Sequence, residues 1–285
     1  MNLGLKNKVV LITGGSKGIG LACARAFARE GAKVSIVSRD PANLARAREQ
    51  LANEGLQVHL ARADLHEAHS AAEVVEETSE ALGAIDVLVN SAGYGYLAAI
   101  EEGEDREIRA QFEVNVFGLN ALTQRILPGM RQQRRGHVFN LSSLGGLVAF
   151  AATGYYHATK FAVEALSESL SHEVAPLGIR VTIVEPGAFR TDWAGRSMVE
   201  SATRIDDYAE TAGKRRAATR AVSGKQPGDP ARAARAIIAA YEADEPPLRL
   251  LLGSAALKVA LARLDALRDN FDAWAETTKS ADFPD

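Results

Sequence analysis

A continuous apolar run, a glycine-rich loop and an apolar-periodic stretch follow one another near the amino terminus. The run covers residues 8–13, the loop from Gly14 to Gly20 reads GGSKGIG, and the periodic stretch extends through Phe27. A run without polar alternation is typical of a strand buried on both faces of a parallel sheet. Glycines let the backbone turn tightly and approach a pyrophosphate, whose charge is stabilised at a helix N-terminus. The order of strand, loop and helix predicts a dinucleotide-binding unit, and an ordinary glycine-rich turn is the alternative.

Similar apolar runs recur along the chain and alternate with helical patterns. Further strands are predicted at 33–38, 58–63, 85–90, 136–142, 179–185 and 248–252. Helices are predicted at 41–53, 68–82, 101–130, 154–175, 230–241 and 255–275. This alternation predicts an α/β fold, a Rossmann-like doubly wound sheet of about seven parallel strands with helices on both faces.

The length of 285 residues suits a single Rossmann-type domain with its core at residues 6–253. Residues 192–228 are polar and show no strand pattern. They are predicted to form short helices that cover the active site as a lid, and a solvated surface insertion is the alternative. Residues 254–285 are predicted to form a C-terminal helical extension.

The composition and net charge limit the kinds of binding partner expected for this chain. The net charge of −3 gives no strong attraction to nucleic acid or to a membrane surface. The single cysteine, Cys23, excludes an intramolecular disulfide framework, falls within the first predicted helix and favours a reducing compartment.

The N-terminal segment lacks a signal-peptide pattern, and no apolar run approaches the roughly 20 residues of a membrane helix. His66 and His69 have no further ligand type nearby, so no metal site is expected. The expectation is a cytoplasmic protein.

The end of the second predicted strand bears on the choice of cofactor. A carboxylate there would bond the adenosine ribose and select NAD, whereas an arginine accommodates the 2′-phosphate of NADP. The strand ends in Ser38 and Arg39, and Asp40 precedes Pro41 at the start of a predicted helix. An N-cap role therefore accounts for Asp40. Lys17 adds a second cation, so NADP(H) is predicted rather than NAD(H), unless both cations are merely solvated.

Tyr156 and Lys160 are four residues apart in a predicted helix and therefore share one face. A phenol titrates near pH ~10, and a neighbouring cation lowers that pKa. Tyr156 is thus predicted to donate a proton to a carbonyl oxygen or to accept one from an alcohol. The fifth strand delivers Ser142 and Ser143 to the same edge of the sheet. Asn115 lies among apolar residues and is either a satisfied core group or a water-holding group beside the lysine.

The residues that follow the third and fourth predicted strands are also candidates for the ligand site. Asp64 follows the third strand and could meet an adenine amino group, or it could cap the helical stretch that begins near Glu67. The small residues Ser91, Ala92 and Gly93 follow the fourth strand. Small side chains at the carboxyl end of a strand leave room for a ligand in the crevice of an open sheet.

Several motifs, in order and spacing, resemble those of the short-chain dehydrogenase/reductase family over roughly residues 6–253. They are Thr13-Gly14-x-x-x-Gly18-x-Gly20, Asn90-Ser91-Ala92-Gly93, Tyr156-x-x-x-Lys160 and Pro186-Gly187-x-x-x-Thr191. Ser91 departs mildly from the family pattern, which usually has a second Asn there. The family's catalytic serine lies 13 residues before its tyrosine, and this spacing selects Ser143 over Ser142.

The resemblance implies catalytic roles for Asn115, Ser143, Tyr156 and Lys160. Tyr156 would be the general acid in carbonyl reduction and the base in the reverse reaction. Lys160 would lower the pKa of Tyr156 and bond the nicotinamide ribose. Ser143 would hold the substrate oxygen, and Asn115 would position a water in a proton relay. The family usually forms dimers or tetramers through the helices that contain Asn115 and Tyr156.

The resemblance also implies a cofactor site, with the Phe189 backbone and the Thr191 hydroxyl at the nicotinamide carboxamide. The cofactor-binding residues are expected to be Gly14, Ser16, Lys17, Gly18, Ile19, Gly20, Ser38, Arg39, Asp64, Leu65, Asn90, Ala92, Gly93, Tyr156, Lys160, Pro186, Gly187, Phe189 and Thr191.

The expected substrate walls are mostly apolar, which favours a hydrophobic ketone, steroid-like alcohol or acyl chain over a sugar phosphate. The substrate-binding residues are expected to be Tyr94, Tyr96, Ser143, Phe150, Tyr156 and Trp193. The predicted function is NADP(H)-dependent, reversible reduction of a ketone or aldehyde to an alcohol. One alternative is a non-catalytic NADP-binding sensor with the same fold. Another is a sugar-nucleotide epimerase or dehydratase, but that branch usually has a different glycine spacing.

Overall fold

A parallel sheet of seven strands forms the centre of the computed structural model, which describes residues 4–67, 69–195 and 197–283. The strands of the described chain are β1 (Val9–Thr13), β2 (Lys33–Ser38), β3 (Val58–Arg62), β4 (Ile85–Asn90), β5 (Gly95–Leu97), β6 (Gly136–Leu141), β7 (Ile179–Pro186), β8 (Met198–Glu200) and β9 (Arg249–Leu252). The central sheet has the order β3-β2-β1-β4-β6-β7-β9, and each neighbouring pair is parallel. The predicted Rossmann-like sheet is confirmed.

Helices cover both faces of this sheet. They are α1 (Gly18–Arg29), α2 (Pro41–Ala52), α3 (Ser70–Leu82), α4 (Asp105–Phe112), α5 (Leu119–Gln133), α6 (Gly154–Val174), α7 (Lys214–Ala221), α8 (Pro230–Glu242), α9 (Ser254–Ala273) and α10 (Ala275–Lys279). Alternate residues of β1 belong to different cores because successive side chains point to opposite faces. Val10 and Ile12 pack with residues of α1, α2 and α8, whereas Val9 and Leu11 pack with residues of α3 and α5.

The strand order reverses at β1, which lies between β2 and β4. In an open α/β sheet, the connections after the strands on either side of such a point leave in opposite directions and open a crevice. The glycine loop follows β1, and residues 91–93 follow β4. The topology therefore brings these two predicted cofactor segments to one place.

Two local predictions were wrong. Residues 192–228 were expected to contain no strand, but β8 pairs in parallel with the equally short β5. The predicted helix at 101–130 is divided into α4, a π-helix at Glu113–Gly118 and α5. The extra residue of a π-turn changes which side chains face the crevice, and such turns are frequent at functional sites. The predicted helix at 68–82 begins at Ser70, and residue 68 lies outside the described residues.

The C-terminal helix α9 is buried only at Ala256 and Ala260. Large apolar side chains on this helix and just beyond it are exposed: Leu257, Leu261, Leu264, Phe271 and Trp274. Among the described helices, none combines the length and the apolarity needed to cross a bilayer.

Candidate active site

The glycine loop is packed too closely for side chains. Gly14 and Gly18 have φ angles of +63° and +54°, in the left-handed region that favours glycine. A Cβ on Gly14 would lie 3.0 Å from the backbone of Ala92, and one on Gly20 would lie 2.5 Å from the Gly14 carbonyl oxygen. The first turn of α1 has no acidic residue and no side-chain cap, so its N–H groups are free to bind phosphate. The loop therefore fits the pyrophosphate of a dinucleotide.

The turn after β4 is held against the loop by Thr13. Its Oγ1 accepts hydrogen bonds from the N–H groups of Ser91 at 3.0 Å and Ala92 at 3.1 Å. Ser16 is buried within the loop, and Ile19 packs on the core from the first turn of α1. Residues 13–20 and 91–93 thus form one rigid wall of the crevice.

The two charged residues that follow β2, Arg39 and Asp40, have different surroundings. Asp40 caps α2, as predicted, because its Oδ1 accepts from the N–H groups of Ala42 and Asn43. In the described part of the chain, Arg39 forms no ion pair with a carboxylate. Arg39 is exposed beside Ser38 at the strand end, and its charge helps to lower the pKa of Asp64. The guanidinium therefore remains available to a ligand at this end of the crevice.

Asp64 itself is engaged by a neighbouring side chain. Its Oδ1 lies 2.7 Å from His66 Nδ1 and accepts from the His66 N–H at 3.2 Å. Burial favours the neutral acid, but these bonds outweigh burial and hold the pKa of Asp64 below its usual value. The alternative role as a helix cap is wrong, because α3 begins only at Ser70. Leu65, the next residue, packs half-buried against the core, and its carbonyl lies against Gly118.

Tyr156 and Lys160 are both buried in the first turns of α6, with 7% and 5% of their surfaces exposed. Lys160 Nζ donates to the Leu141 carbonyl oxygen at 2.7 Å and lies 5.8 Å from the centre of the Tyr156 ring. Burial lowers the pKa of Lys160 to about 8, and the charge of Glu164 opposes that fall.

The expected lowering of the phenol pKa by the lysine is absent from this structure. Burial raises the pKa of Tyr156 to about 12, and hydrogen bonding with Ser143 only partly offsets the rise. The reason is geometric, since the ammonium is turned to Leu141 and not to the phenol oxygen. The phenol is consequently protonated at neutral pH, which is the form that can donate a proton.

Ser143 caps a short 3₁₀ turn, Leu144–Gly146, that follows β6. Its Oγ accepts from the Gly145 N–H at 3.0 Å and donates to the Pro186 carbonyl oxygen at 3.5 Å. Ser142 is instead buried behind the turn, with 3% of its surface exposed. The structure therefore brings Ser143, and not Ser142, to the hydroxyl of Tyr156.

Asn115 is fully buried in the π-helix and joins three segments. Its Oδ1 accepts from the Tyr94 N–H at 3.1 Å, and its Nδ2 donates to the Tyr94 carbonyl at 3.0 Å and to Thr159 Oγ1 at 3.1 Å. A Cβ on Gly93 would lie 3.0 Å from Asn115 Oδ1 and 3.7 Å from Lys160 Nζ. Asn115 is thus a satisfied buried group that also borders the lysine.

Two residues in this network were not predicted. Thr159 adjoins Lys160 and receives the bond from Asn115, and Gln111 Nε2 donates to the Tyr94 carbonyl at 3.1 Å. Gln111 precedes Asn115 by four residues, so a shared helical face was a usable signal for it.

The segment after β7 closes the crevice from the other side. The Gly187 N–H donates to the Leu252 carbonyl at 2.9 Å, and Phe189 forms a bridge with Gly228. Thr191 lies over the glycine loop, because a Cβ on Gly18 would be 3.1 Å from its methyl group. Thr191 therefore borders the glycine loop, and Pro186, Gly187 and Phe189 lie in the segment that leads to it.

Three of the predicted substrate residues border the catalytic tyrosine or the mouth of the crevice. The ring of Trp193 lies 4.9 Å from that of Tyr156. Phe150 packs edge-on against His157 and lies 4.7 Å beneath the Arg215 guanidinium of α7. Tyr94 is half-buried, and burial together with the charge of Glu107 raises the pKa of its hydroxyl to about 12.

Two site predictions need correction. Tyr96 has no exposed surface, and its hydroxyl accepts from the Glu104 N–H, so it belongs to the core and not to an open pocket wall. The Asn90 side chain is also buried, where its Nδ2 donates to Asn140 Oδ1 at 2.9 Å and to Thr123 Oγ1 at 3.2 Å. Asn90 therefore joins strands, and its side chain does not face the cofactor crevice.

Glu102 anchors the segment that contains Ile205 and Arg216. This buried carboxylate accepts from the N–H groups of Ala99 and Ile205 and pairs with the buried Arg216 of α7. A cavity of about 480 Å³ lies behind α7, and none of the four predicted catalytic residues lines it. This cavity is therefore separate from the predicted catalytic residues.

Comparison with known proteins identifies relatives along most of the chain. The family model for short chain dehydrogenases matches residues 8–201. Oxidoreductase BOA17 of Botryotinia fuckeliana is 35% identical over 94% of this chain and 97% of that protein. The 3-ketodihydrosphingosine reductase of Bacteroides thetaiotaomicron is 35% identical over 73% of this chain and 74% of its own. A short-chain dehydrogenase from Streptomyces avermitilis is 39% identical, with a TM-score of 0.89 over 96% of this chain and 98% of that one.

Proposed function

This chain belongs to the short-chain dehydrogenase/reductase family, and on that basis we propose that it reduces a ketone or aldehyde to an alcohol with NADP(H). The reaction is reversible. The observation that carries the proposal is the convergence of the Tyr156 and Ser143 hydroxyls beside buried Lys160, in the crevice that also holds the glycine loop.

The nicotinamide supplies a hydride to the carbonyl carbon when the cofactor is bound. The protein supplies the proton and the orientation. The hydroxyls of Ser143 and Tyr156 hydrogen-bond the carbonyl oxygen where negative charge develops, and Tyr156 gives its proton to that oxygen. The carbon thus gains a hydride and the oxygen a proton. Because the pKa of Tyr156 is raised to about 12, the enzyme at neutral pH already carries the proton that reduction consumes.

NADP(H) is proposed over NAD(H) because of the charges at the adenosine end of the crevice. Asp40, the carboxylate that could bond a ribose, is occupied in capping α2. Arg39 is exposed and free of acidic partners in the described part of the chain, and Lys17 lies in the glycine loop. A 2′-phosphate would meet these two cations.

Arg39→Ala should weaken NADPH binding by about 10- to 100-fold, the loss of one or two charge-assisted hydrogen bonds. NADH affinity should change by less than about threefold, because NADH has no phosphate for the guanidinium to bind. Titration of each cofactor by fluorescence measures both effects. Arg263→Ala, which removes an exposed arginine from α9, is the control. An equal loss for both cofactors would contradict the assignment.

The proposed substrate is an apolar ketone or aldehyde. Trp193 packs on the reacting phenol, Phe150 packs on the neighbouring His157, and the Bacteroides relative is named a 3-ketodihydrosphingosine reductase. Residues 192–228 would cover this substrate as a lid, since Trp193 and α7 both lie against the crevice. A cytoplasmic location remains a prediction from the sequence.

A panel of ketones and aldehydes, followed at the absorbance band of the reduced cofactor with NADPH and with NADH, tests the reaction class. NADPH-dependent reduction of apolar ketones is expected. A preference for charged, hydrophilic substrates over every apolar ketone would overturn the substrate proposal. Tight NADPH binding without turnover of any carbonyl would favour the sensor alternative.

We further propose a homodimer or homotetramer built on the helices that carry Asn115 and Tyr156. Phe117, Phe161 and Leu166 on these elements are 55%, 44% and 42% exposed in the single chain, a large apolar surface for one helix pair. Sedimentation should give a dimer or tetramer, and Phe161→Glu should shift it toward monomer. A monomeric wild-type protein would contradict the proposal.

A further inference from the structure

A buried pair of carboxyl groups lies behind the catalytic lysine. Glu164 follows Lys160 by one helical turn on α6, and Glu185 lies near the end of β7. Their side chains are only 7% and 1% exposed. The Oε1 atoms of both are buried, and neither has a partner in hydrogen-bonding geometry among the described residues. Both carboxyl groups lie beside the same guanidinium, that of Arg249, and the charge of Glu164 acts on Glu185.

Two neighbouring carboxyl groups can hydrogen-bond each other only if one of them carries a proton, because an ionised carboxylate can only accept. Two buried carboxylates in contact also cannot both be ionised without a large repulsion. Burial raises the pKa of both groups, and the charge of Glu164 raises that of Glu185 further. At neutral pH the pair therefore holds one proton and one negative charge.

Arg249 of β9 faces this pair from the neighbouring strand. Its Nε lies 3.2 Å from Glu164 Oε2 and 3.5 Å from Glu185 Oε1, whereas its Nη2 binds the half-exposed Glu168 at 2.8 Å. Ser142 Oγ is buried on the other side without a partner in hydrogen-bonding geometry, yet it favours the ionised form of Glu164. The remaining charged group that acts with the pair is Lys160.

The charge on Glu164 matters to Lys160 because the ammonium is otherwise poorly supported. Among the described residues its one hydrogen-bond partner is the Leu141 carbonyl, and burial lowers the pKa of Lys160 to about 8. The Glu164 carboxylate is the charge that opposes this fall. Without it, the lysine would lose its proton closer to neutral pH.

We propose that Glu164 and Glu185 share one proton and present a single negative charge that keeps Lys160 protonated, which makes them positioning residues for the catalytic lysine. Glu185 carries the proton and donates it toward Glu164, which carries the charge. The effect of this pair on turnover rests on the proposed function. The presence of the shared proton does not.

The direct test is NMR titration of isotope-labelled glutamate carboxyl carbons and of the Lys160 ammonium nitrogen in the full-length protein. In the wild type, the carboxyl carbon of Glu185 should keep the shift of a neutral acid at neutral pH. Glu164→Gln should lower the Lys160 pKa by about one unit or more, the effect of removing one nearby opposite charge. Glu185→Gln should leave the Lys160 pKa nearly unchanged, because the amide N–H of the new side chain can still donate to a charged Glu164. Glu168→Gln, which removes an exposed partner of Arg249, is the matched control.

The pH profile of kcat/KM for ketone reduction gives a second readout. Its alkaline limb should move to lower pH in Glu164→Gln and stay in place in Glu185→Gln and Glu168→Gln. Charged shifts for both carboxyl carbons at neutral pH, or an unchanged Lys160 pKa in Glu164→Gln, would overturn the proposal. If Glu164→Gln does not fold, the wild-type carboxyl titration decides. If no carbonyl is reduced at all, the proposed function fails while the NMR titration still tests the pair.

Discussion

Replacement of Tyr156 by Phe is expected to lower kcat for carbonyl reduction by about 10²- to 10⁴-fold, the usual contribution of a positioned general acid. The substitution removes the hydroxyl that hydrogen-bonds with Ser143 and keeps the ring that packs on Trp193 at 4.9 Å. NADPH affinity should therefore be nearly unchanged. Steady-state kinetics and a cofactor titration on the same preparation measure the two quantities.

Tyr155→Phe is the matched control, because Tyr155 precedes Tyr156 on the same helix but turns away from the crevice. Its hydroxyl donates to the Ile100 carbonyl oxygen at 2.6 Å. This variant should retain most of the wild-type kcat. Comparable losses in the two variants would mean that the effect is structural and would remove Tyr156 from its proposed role.

Gly20→Ala is expected to weaken NADPH binding by about 10- to 100-fold, since overpacking of a fixed site costs ~1–3 kcal/mol. The new methyl carbon would lie 2.5 Å from the Gly14 carbonyl oxygen and 2.9 Å from its carbon. These are backbone atoms of the loop that would hold the pyrophosphate, so relief of the clash displaces the loop itself. Isothermal titration with NADPH measures the loss.

Gly129→Ala provides the control for that substitution. Gly129 lies within α5, and a Cβ there meets no atom within 4 Å. Alanine favours a helix over glycine by up to ~1 kcal/mol, so this variant should bind NADPH normally and melt at the same or a higher temperature. Wild-type NADPH affinity in Gly20→Ala would show that the loop does not contact the pyrophosphate.

The strands of the central sheet were predictable because each is a short, mostly apolar run between helical patterns. The run at 8–13 and the loop after it also determine where the crevice opens, since β1 lies at the reversal of strand order. By contrast, β5 and β8 have three residues each. A run that short carries no measurable periodicity, so its pairing was visible only in three dimensions.

Individual roles within the site were less predictable than its location. The spacing of Tyr156 and Lys160 gives a shared helical face, but it does not reveal that burial raises the phenol pKa or that the ammonium turns to Leu141. Tyr96 and Asn90 lie in segments that reach the crevice, yet their side chains point into the core. A sequence motif specifies which segments meet, whereas the direction of each side chain depends on packing.

Glu164 and Glu185 illustrate the same limit. Each occupies an unremarkable position in the sequence, one on a helix and one at the end of a strand. Their contact arises because α6 packs on β7, which places two carboxyl groups together in a dry interior.

Transfer of deuterium from NADPH that carries deuterium at both C4 positions of the nicotinamide to the alcohol product tests the hydride chemistry most directly. Incubation of the wild-type protein with labelled NADPH and a ketone from the panel, followed by mass spectrometry of the alcohol, locates the label. We predict one deuterium on the carbinol carbon of the alcohol in the wild type, formed at a rate about 10²- to 10⁴-fold lower in Tyr156→Phe. NADPH that binds but transfers no deuterium to any carbonyl substrate would contradict the assignment of this crevice as a reductase site.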